Sequence, residues 1–152
     1  MESSTDGQHR ITVRRRIPAP CQVVYDAWID PEGIREWMCP GDVLSAEATL
    51  DVRVGGSFRI VMKSPDRIHQ HTGIYQVVEP PLKLVFTWFA VENPSAVTLV
   101  TVQLVPQGQE CELVLTHERF SDADLAERYE NGWGKIAEKF AAFLSSGKAK
   151  AK

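Results

Sequence analysis

The order of apolar and polar positions divides the chain into ten segments. Ile11, Val13 and Ile17 mark a strand over Arg10–Ile17. Pro18-Ala19-Pro20 ends it and suits a helix start, after which Val23, Val24, Ala27 and Trp28 recur at helical spacing. Asp30-Pro31 reads as an N-cap followed by the first helical residue of a second short helix, running through Trp37 and stopped by Pro40-Gly41.

Alternation of period two then takes over. Val43–Leu50 sets Leu44, Ala46, Ala48 and Leu50 on one face, and Ser57–Lys63 sets Phe58, Ile60 and Met62 on one face. Further strands are predicted over Ile68–Val78, Leu82–Ala90, Ala96–Val105 and Glu110–Arg119. The breaks are Gly55-Gly56, Ser64-Pro65-Asp66-Arg67, Pro80-Pro81, Asn93-Pro94-Ser95 and Gln107-Gly108-Gln109. Connections this short favour antiparallel neighbours, because a parallel crossover needs about a dozen residues. Ser121 is the expected N-cap of a final helix over Asp122–Leu144, whose stripe is Leu125, Tyr129, Trp133, Ile136, Phe140 and Leu144. Asp122 and Asp124 favour the positive end of its dipole. Residues 1–9 and the Lys-rich 145–152 read as disordered ends around one domain, 10–144.

Seven strands about 4.8 Å apart span roughly 30 Å, whereas one helix is about 10–12 Å across. The sheet must therefore curl around the long helix, with Gly55-Gly56 and Gly73 as candidate bend points and the two short helices plugging part of the opening. This is an α+β architecture: a curled antiparallel sheet of about seven strands gripping a C-terminal helix. The inner faces should carry Phe58, Ile60 and Met62, then His69, His71, Tyr75 and Val77. Leu84, Phe86 and Trp88 follow, then Val100, Val102 and Leu104, and last Leu113, Leu115 and His117. Val85 and Phe89 fall on the outer face, where they could support pairing with a second copy; monomer and homodimer both stay open.

Composition changes the picture at one point. The chain of 152 residues is ordinarily hydrophobic at 43%, yet it holds four Trp, three Tyr and six Phe. Plain core packing is the simpler reading of any single ring. Together they outline an apolar pocket with a few placed polar groups. Its candidate lining is Trp37, Phe58, Ile60, Met62, His71, Tyr75 and Phe86 from the first half of the chain. Trp88, Val102, Leu115, His117, Tyr129, Trp133 and Ile136 come from the second. Gly132 and Gly134 flank Trp133 inside a helix at about 1 kcal/mol each, a cost that close packing or room for a ligand would explain, with packing the simpler choice.

Charge and motifs mostly exclude. A net charge of −3 gives no electrostatic case for nucleic acid, and no apolar run approaches the roughly 20 residues of a membrane span. No secretory h-region is present, and the expected location is the cytoplasm. Arg14–Arg16 read as a solvent-facing, protected sheet edge. Cys21, Cys39 and Cys111 are scattered and support neither a disulfide framework nor a zinc knuckle. His69 and His71 could share a metal, but no third ligand is visible, so neither metal nor cofactor is assigned. Glu47, Asp51, Glu112 and Glu118 fall on outward registers, which removes paired-carboxylate catalysis. Any enzymatic acid–base work would rest on His117 or Tyr75, and a satisfied core histidine is the simpler reading of His117.

Several pieces together resemble the SRPBCC superfamily of START-like, helix-grip proteins, and within it the branch of activators of heat shock protein 90 ATPase. They are Ile17-Pro18-Ala19-Pro20 with Val24 and Ala27-Trp28; Asp30-Pro31-Glu32 with Trp37; and Asp51-Val52-Arg53-Val54-Gly55-Gly56. The series continues with Pro65-Asp66, Gly73, Pro80-Pro81, Leu84-Val85-Phe86-Thr87-Trp88, Leu115-Thr116-His117 and Gly132-Trp133. The resemblance covers residues 10–144 and departs at Arg67, where the family often turns with glycine. It implies a helix-grip fold with a cavity for a small hydrophobic or aromatic molecule. Its alternatives are a co-chaperone-like interaction domain and a cyclase- or hydrolase-like enzyme using the same cavity. In the eukaryotic activators a separate N-terminal domain does much of the chaperone binding; with about nine residues ahead of the first strand, that domain is expected to be absent.

Overall fold

The computed structural model describes residues 9–38, 44–120 and 122–145. In chain order the elements are β1 (His9–Ile17), α1 (Cys21–Trp28), α2 (Pro31–Trp37), β2 (Ser45–Leu50), β3 (Ser57–Ser64), β4 (Arg67–Glu79), β5 (Lys83–Ala90), β6 (Thr98–Gln107), β7 (Glu110–Phe120) and α3 (Ala123–Ser145). All seven strands form one antiparallel sheet in the order β1-β7-β6-β5-β4-β3-β2. α3 lies against the sheet nearest β1, and α1 and α2 close the same side. The α+β helix-grip architecture expected from the sequence is the one observed.

Local chemistry sets the short helices. The Asp30 side chain accepts from the Glu32 N–H at 3.1 Å, and Pro31 opens α2, which satisfies an otherwise orphaned donor. α1 follows Pro20, which stands at the N-cap and offers no side-chain cap. At α3 the cap is Asp122: its side chain accepts from Asp124 N–H at 2.8 Å and its carbonyl from Ala126 N–H at 3.1 Å. Ser121, Cys39, Pro40-Gly41 and Val43 lie outside the described residues.

The inner faces of β3, β5, β6 and β7 carry the expected residues, all buried. β4 departs halfway. A register shift between Tyr75 and Val77 sets Val77 opposite Val85 and Val78 opposite Leu84. Leu84 is core, so Val78 packs inward while Val77 turns out, the reverse of strict alternation. Leu44 is 73% exposed just ahead of β2, where alternation had placed it inside. Val85 and Phe89 sit on the outer face, yet Val85 is buried and Phe89 half-buried. Arg119 takes φ +74, which breaks the alternation at the end of β7 and buries Phe120. Arg67 already belongs to β4, paired with Ser64, so the turn is completed by Pro65-Asp66 alone.

The arginine run divides between two faces. Arg10, Arg14 and Arg16 reach across to Glu118, Glu112 and Glu110 on β7, at 3.9, 3.5 and 2.7 Å. Arg15 points the other way, to Glu138 on α3 at 3.2 Å. The outward acids therefore balance the edge strand instead of entering the interior; exposed pairs of this kind contribute little stability individually.

At Gly73 the β4 backbone comes too close to β5 for a side chain. A Cβ there would overlap the Thr87 carbonyl oxygen and lie 2.9 Å from the Phe58 ring. Next to it, the Ile74 N–H donates to Thr87 Oγ1 at 2.8 Å. At Gly134 a Cβ would meet nothing within 4 Å, so close packing does not account for that glycine. In urea unfolding, Gly73→Ala should lower stability by about 2 kcal/mol or more. Gly134→Ala should raise it by roughly 0.5–1 kcal/mol through helix propensity.

Candidate ligand site

Three walls meet between sheet and helix. α1 and α2 contribute Trp28 and Trp37, β3–β5 contribute Phe58, Tyr75, Phe86 and Trp88, and α3 contributes Trp133 and Ile136. Of the pocket residues expected from sequence, His71 and Tyr129 are half-buried and the others are buried. The rings touch. Trp28 lies 4.8 Å from Trp37 and 6.4 Å from Trp133 between centroids, and Trp88 lies 5.4 Å from Trp133. Phe140 closes the far side against Trp28 and Trp37 at 5.4 and 4.6 Å.

Because the walls are in contact, little free space is left between them. A cleft bounded by Trp28, Ile34, Met38, Phe58, Tyr75 and Trp88, among others, has a free volume of about 20 Å3. That is close to the room one water molecule needs. Beside Leu115, Trp133 and Ile136 the free volume falls to about 0 Å3. Val102 and Met62 complete the packed lining from β6 and β3.

One end of this interior is polar. The Trp133 indole N–H donates to His117 Nδ1 at 2.9 Å. An indole nitrogen can only donate, so Nδ1 carries no proton and His117 is the neutral tautomer protonated at Nε2. That Nε2–H donates to Thr98 Oγ1 at 2.6 Å, and the Thr98 hydroxyl donates to the Trp88 carbonyl at 2.7 Å. The result is a directed chain from α3 through β7 and β6 to β5. Burial, with a smaller contribution from His71, holds the His117 imidazole down to a pKa of about 3.

His71 is half-buried beside the Trp88 indole. Its ring stacks on Trp88 at 4.8 Å, with the planes 22° apart, and its Nε2 meets the Tyr129 hydroxyl at 3.3 Å. Burial first, then the neighbouring His69, pushes its pKa to about 4, with Glu92 opposing. Burial raises the Tyr129 phenol, and the nearby Trp88 indole N–H, which does not meet hydrogen-bond geometry with it, pulls the other way. Burial likewise raises Tyr75, helped by Tyr25 and Asp51.

Chemically this set stacks and hydrogen-bonds. His117 has both nitrogens engaged, and Tyr75 stays a neutral phenol, so neither offers a free base near neutral pH. His69 and His71 do share a strand face, but among the described residues no group of three or more His, Cys, Asp or Glu could hold a metal ion.

Sequence reasoning missed Thr98 and Phe120. Thr98 was within reach, because its register with Val100 and Val102 turns it inward; Phe120 was hidden by the left-handed Arg119.

A sheet gripping one long helix, with an aromatic interior between them, defines a START-like helix-grip protein. Residues 18–145 match the family described as Activator of Hsp90 ATPase homolog 1-like protein, and the chain belongs to that family. No curated protein matches significantly. Solved structures share the fold. Protein CV1439 from Chromobacterium violaceum superposes with a TM-score of 0.78 at 24% identity, over 88% of this chain and 94% of that one. Protein NE0264 from Nitrosomonas europaea gives 0.79 at 21%, over 92% and 96%. CalU16 from Micromonospora echinospora gives 0.70 at 23%, over 94% and 80%.

A neutral buried histidine links stability to acid. Between pH 6.5 and about 3 the unfolded chain binds a proton at His117 that the folded chain refuses, so stability falls as pH falls and is complete above 6.5. Urea unfolding at pH 5 should show roughly 2 kcal/mol less stability than at pH 7.5 from this residue alone. The loss should shrink by about that amount in His117→Asn; an equal loss in both proteins would exclude a buried neutral His117 as its source.

Proposed function

We propose that this domain binds a small hydrophobic or aromatic molecule in the ring-lined interior between the sheet and α3. The carrying observation is a set of buried polar atoms with no hydrogen-bond partner: Trp37 Nε1, Trp88 Nε1, Tyr25 Oη and His71 Nδ1. Each such group forgoes about 1–3 kcal/mol when left unsatisfied, and folded proteins keep few of them without a reason. Two of them, Trp37 Nε1 and Trp88 Nε1, are donors on rings packed against other rings. A planar ligand bearing one or two acceptor atoms matches that arrangement, stacking on indole and phenol rings while accepting their N–H and O–H groups. Membership of a START-like family supports the same reading.

About 20 Å3 does not hold such a ligand, so uptake has to open the interior. The sheet is hydrogen-bonded strand to strand, and α3 is tied to it through Trp133 and His117. The movable wall is therefore the pair of short helices, α1 and α2, with Trp28 and Trp37 on them. In this reading Trp37, Phe58, Ile60, Met62, Tyr75, Phe86 and Trp88 contact the ligand. Val102, Leu115, Tyr129, Trp133 and Ile136 shape its far side, and His71 and His117 set the polar end. A co-chaperone role draws on the family description alone, and a stoichiometric complex recovered in a chaperone pull-down would reverse the ranking.

Titrating a library of planar aromatic compounds while following tryptophan emission tests the proposal. At least one should give a saturable change, and Trp88→Phe, which keeps a ring but loses the N–H, should weaken binding about ten-fold. No saturable binder across the library, together with an experimental structure whose interior is filled by side chains alone, would end it.

A further inference from the structure

Two cysteines that are 90 positions apart in sequence meet in the fold, with Cys21 Sγ 2.9 Å from Cys111 Sγ. Both are free thiols. Cys111 lies on β7 opposite Ile17, the last residue of β1. The chain then turns through Pro18, Ala19 and Pro20, with Ala19 N–H donating to the Ile17 carbonyl at 2.8 Å, and Cys21 begins α1 directly over Cys111. The two sulfurs need close by less than 1 Å to reach a bond of about 2.05 Å.

We propose that Cys21 and Cys111 form a reversible disulfide on exposure to peroxide, clamping α1 to the sheet. The two thiols are not equivalent. Cys111 is fully buried and the Cys21 residue is 8% exposed, so the proposed reaction begins at Cys21. Burial, reinforced by Cys21, pushes the Cys111 thiol well above the ordinary range, so Cys111 stays protonated while Cys21 reacts. The Cys21 sulfur attacks one peroxide oxygen, the O–O bond breaks, and water leaves behind a sulfenic acid. The Cys111 sulfur then attacks the Cys21 sulfur, the S–O bond breaks, and the hydroxide departs with the Cys111 proton as a second water. The thiols give up two electrons and two protons in all, and hydrogen peroxide is reduced to two waters. A small-molecule thiol reverses the bond by exchange through a mixed disulfide. The bond closes a loop of 90 residues and fixes the first turn of α1, both of which stabilise the folded chain against its unfolded ensemble.

The test uses the full chain, reduced and then treated with hydrogen peroxide, denatured, alkylated with N-ethylmaleimide and weighed. The reduced protein should take up three alkyl groups, at Cys21, Cys39 and Cys111, and the oxidised protein one. Peptide mapping should join Cys21 to Cys111, and the oxidised protein should melt several degrees higher until dithiothreitol is added. Cys39→Ser should still cross-link, and Cys111→Ala should not. Three alkylated thiols after peroxide, a cross-link that includes Cys39, a disulfide between two molecules, or sulfinic acid accumulating on Cys21 would each overturn the proposal.

Discussion

The interior of this domain is organised by what one indole can and cannot do. Trp133 is able only to donate, and its single proton is spent on His117 Nδ1. That choice fixes the tautomer of a fully buried histidine, which fixes the direction of the hydrogen bond to Thr98, which leaves the Thr98 hydroxyl one place to send its proton, the Trp88 carbonyl. Four polar groups from one helix and three strands are thereby satisfied without a charge or a water. The same chain pins α3 at the place where Trp88 and Trp133 face each other, so the aromatic packing inherits its geometry from the polar relay.

Seen this way, the surplus of tryptophan has two functions within one cluster. Trp28 and Trp37 pack edge and face against Phe140 and secure the short helices over the opening, as apolar bodies. Trp88 and Trp133 join the apolar side to the polar end, Trp133 with its N–H used and Trp88 with its N–H unused. Of the buried donors without a partner, Tyr25 Oη and Trp37 Nε1 lie on the short helices and Trp88 Nε1 on the sheet.

Most of this was legible in the chain because strands and helices impose fixed periods. Phe58, Ile60 and Met62, or Leu113, Leu115 and His117, are read correctly by counting in twos. The errors fall where one residue breaks the count. Beyond the irregularity at Tyr75 the inward side chain is Val78 in place of Val77, and the left-handed Arg119 buries Phe120. Gly134 was read as a packing glycine, yet there is open space beside it. The closeness of Cys21 and Cys111 was out of reach for a different reason: it depends on the pairing of the first strand with the last, which no local pattern encodes. Alternation also says which side chains face one another across the interior but not how far apart they stand, and the free volume is a matter of that distance.

That pairing of first strand with last has a kinetic side. β1 precedes every other strand of the sheet in sequence, and the strand it pairs with among the described residues, β7, is the last of them. Ile17 must wait for Cys111, and α3, which packs on β1, comes later still. Between those moments the chain can assemble the β2–β6 meander by short hairpins, each a neighbour of the last. Closing the sheet is then a single long-range event that joins its first strand to its last. Any fragment that stops short of residue 110 leaves β1 without the strand it pairs with and without α3 over its apolar face.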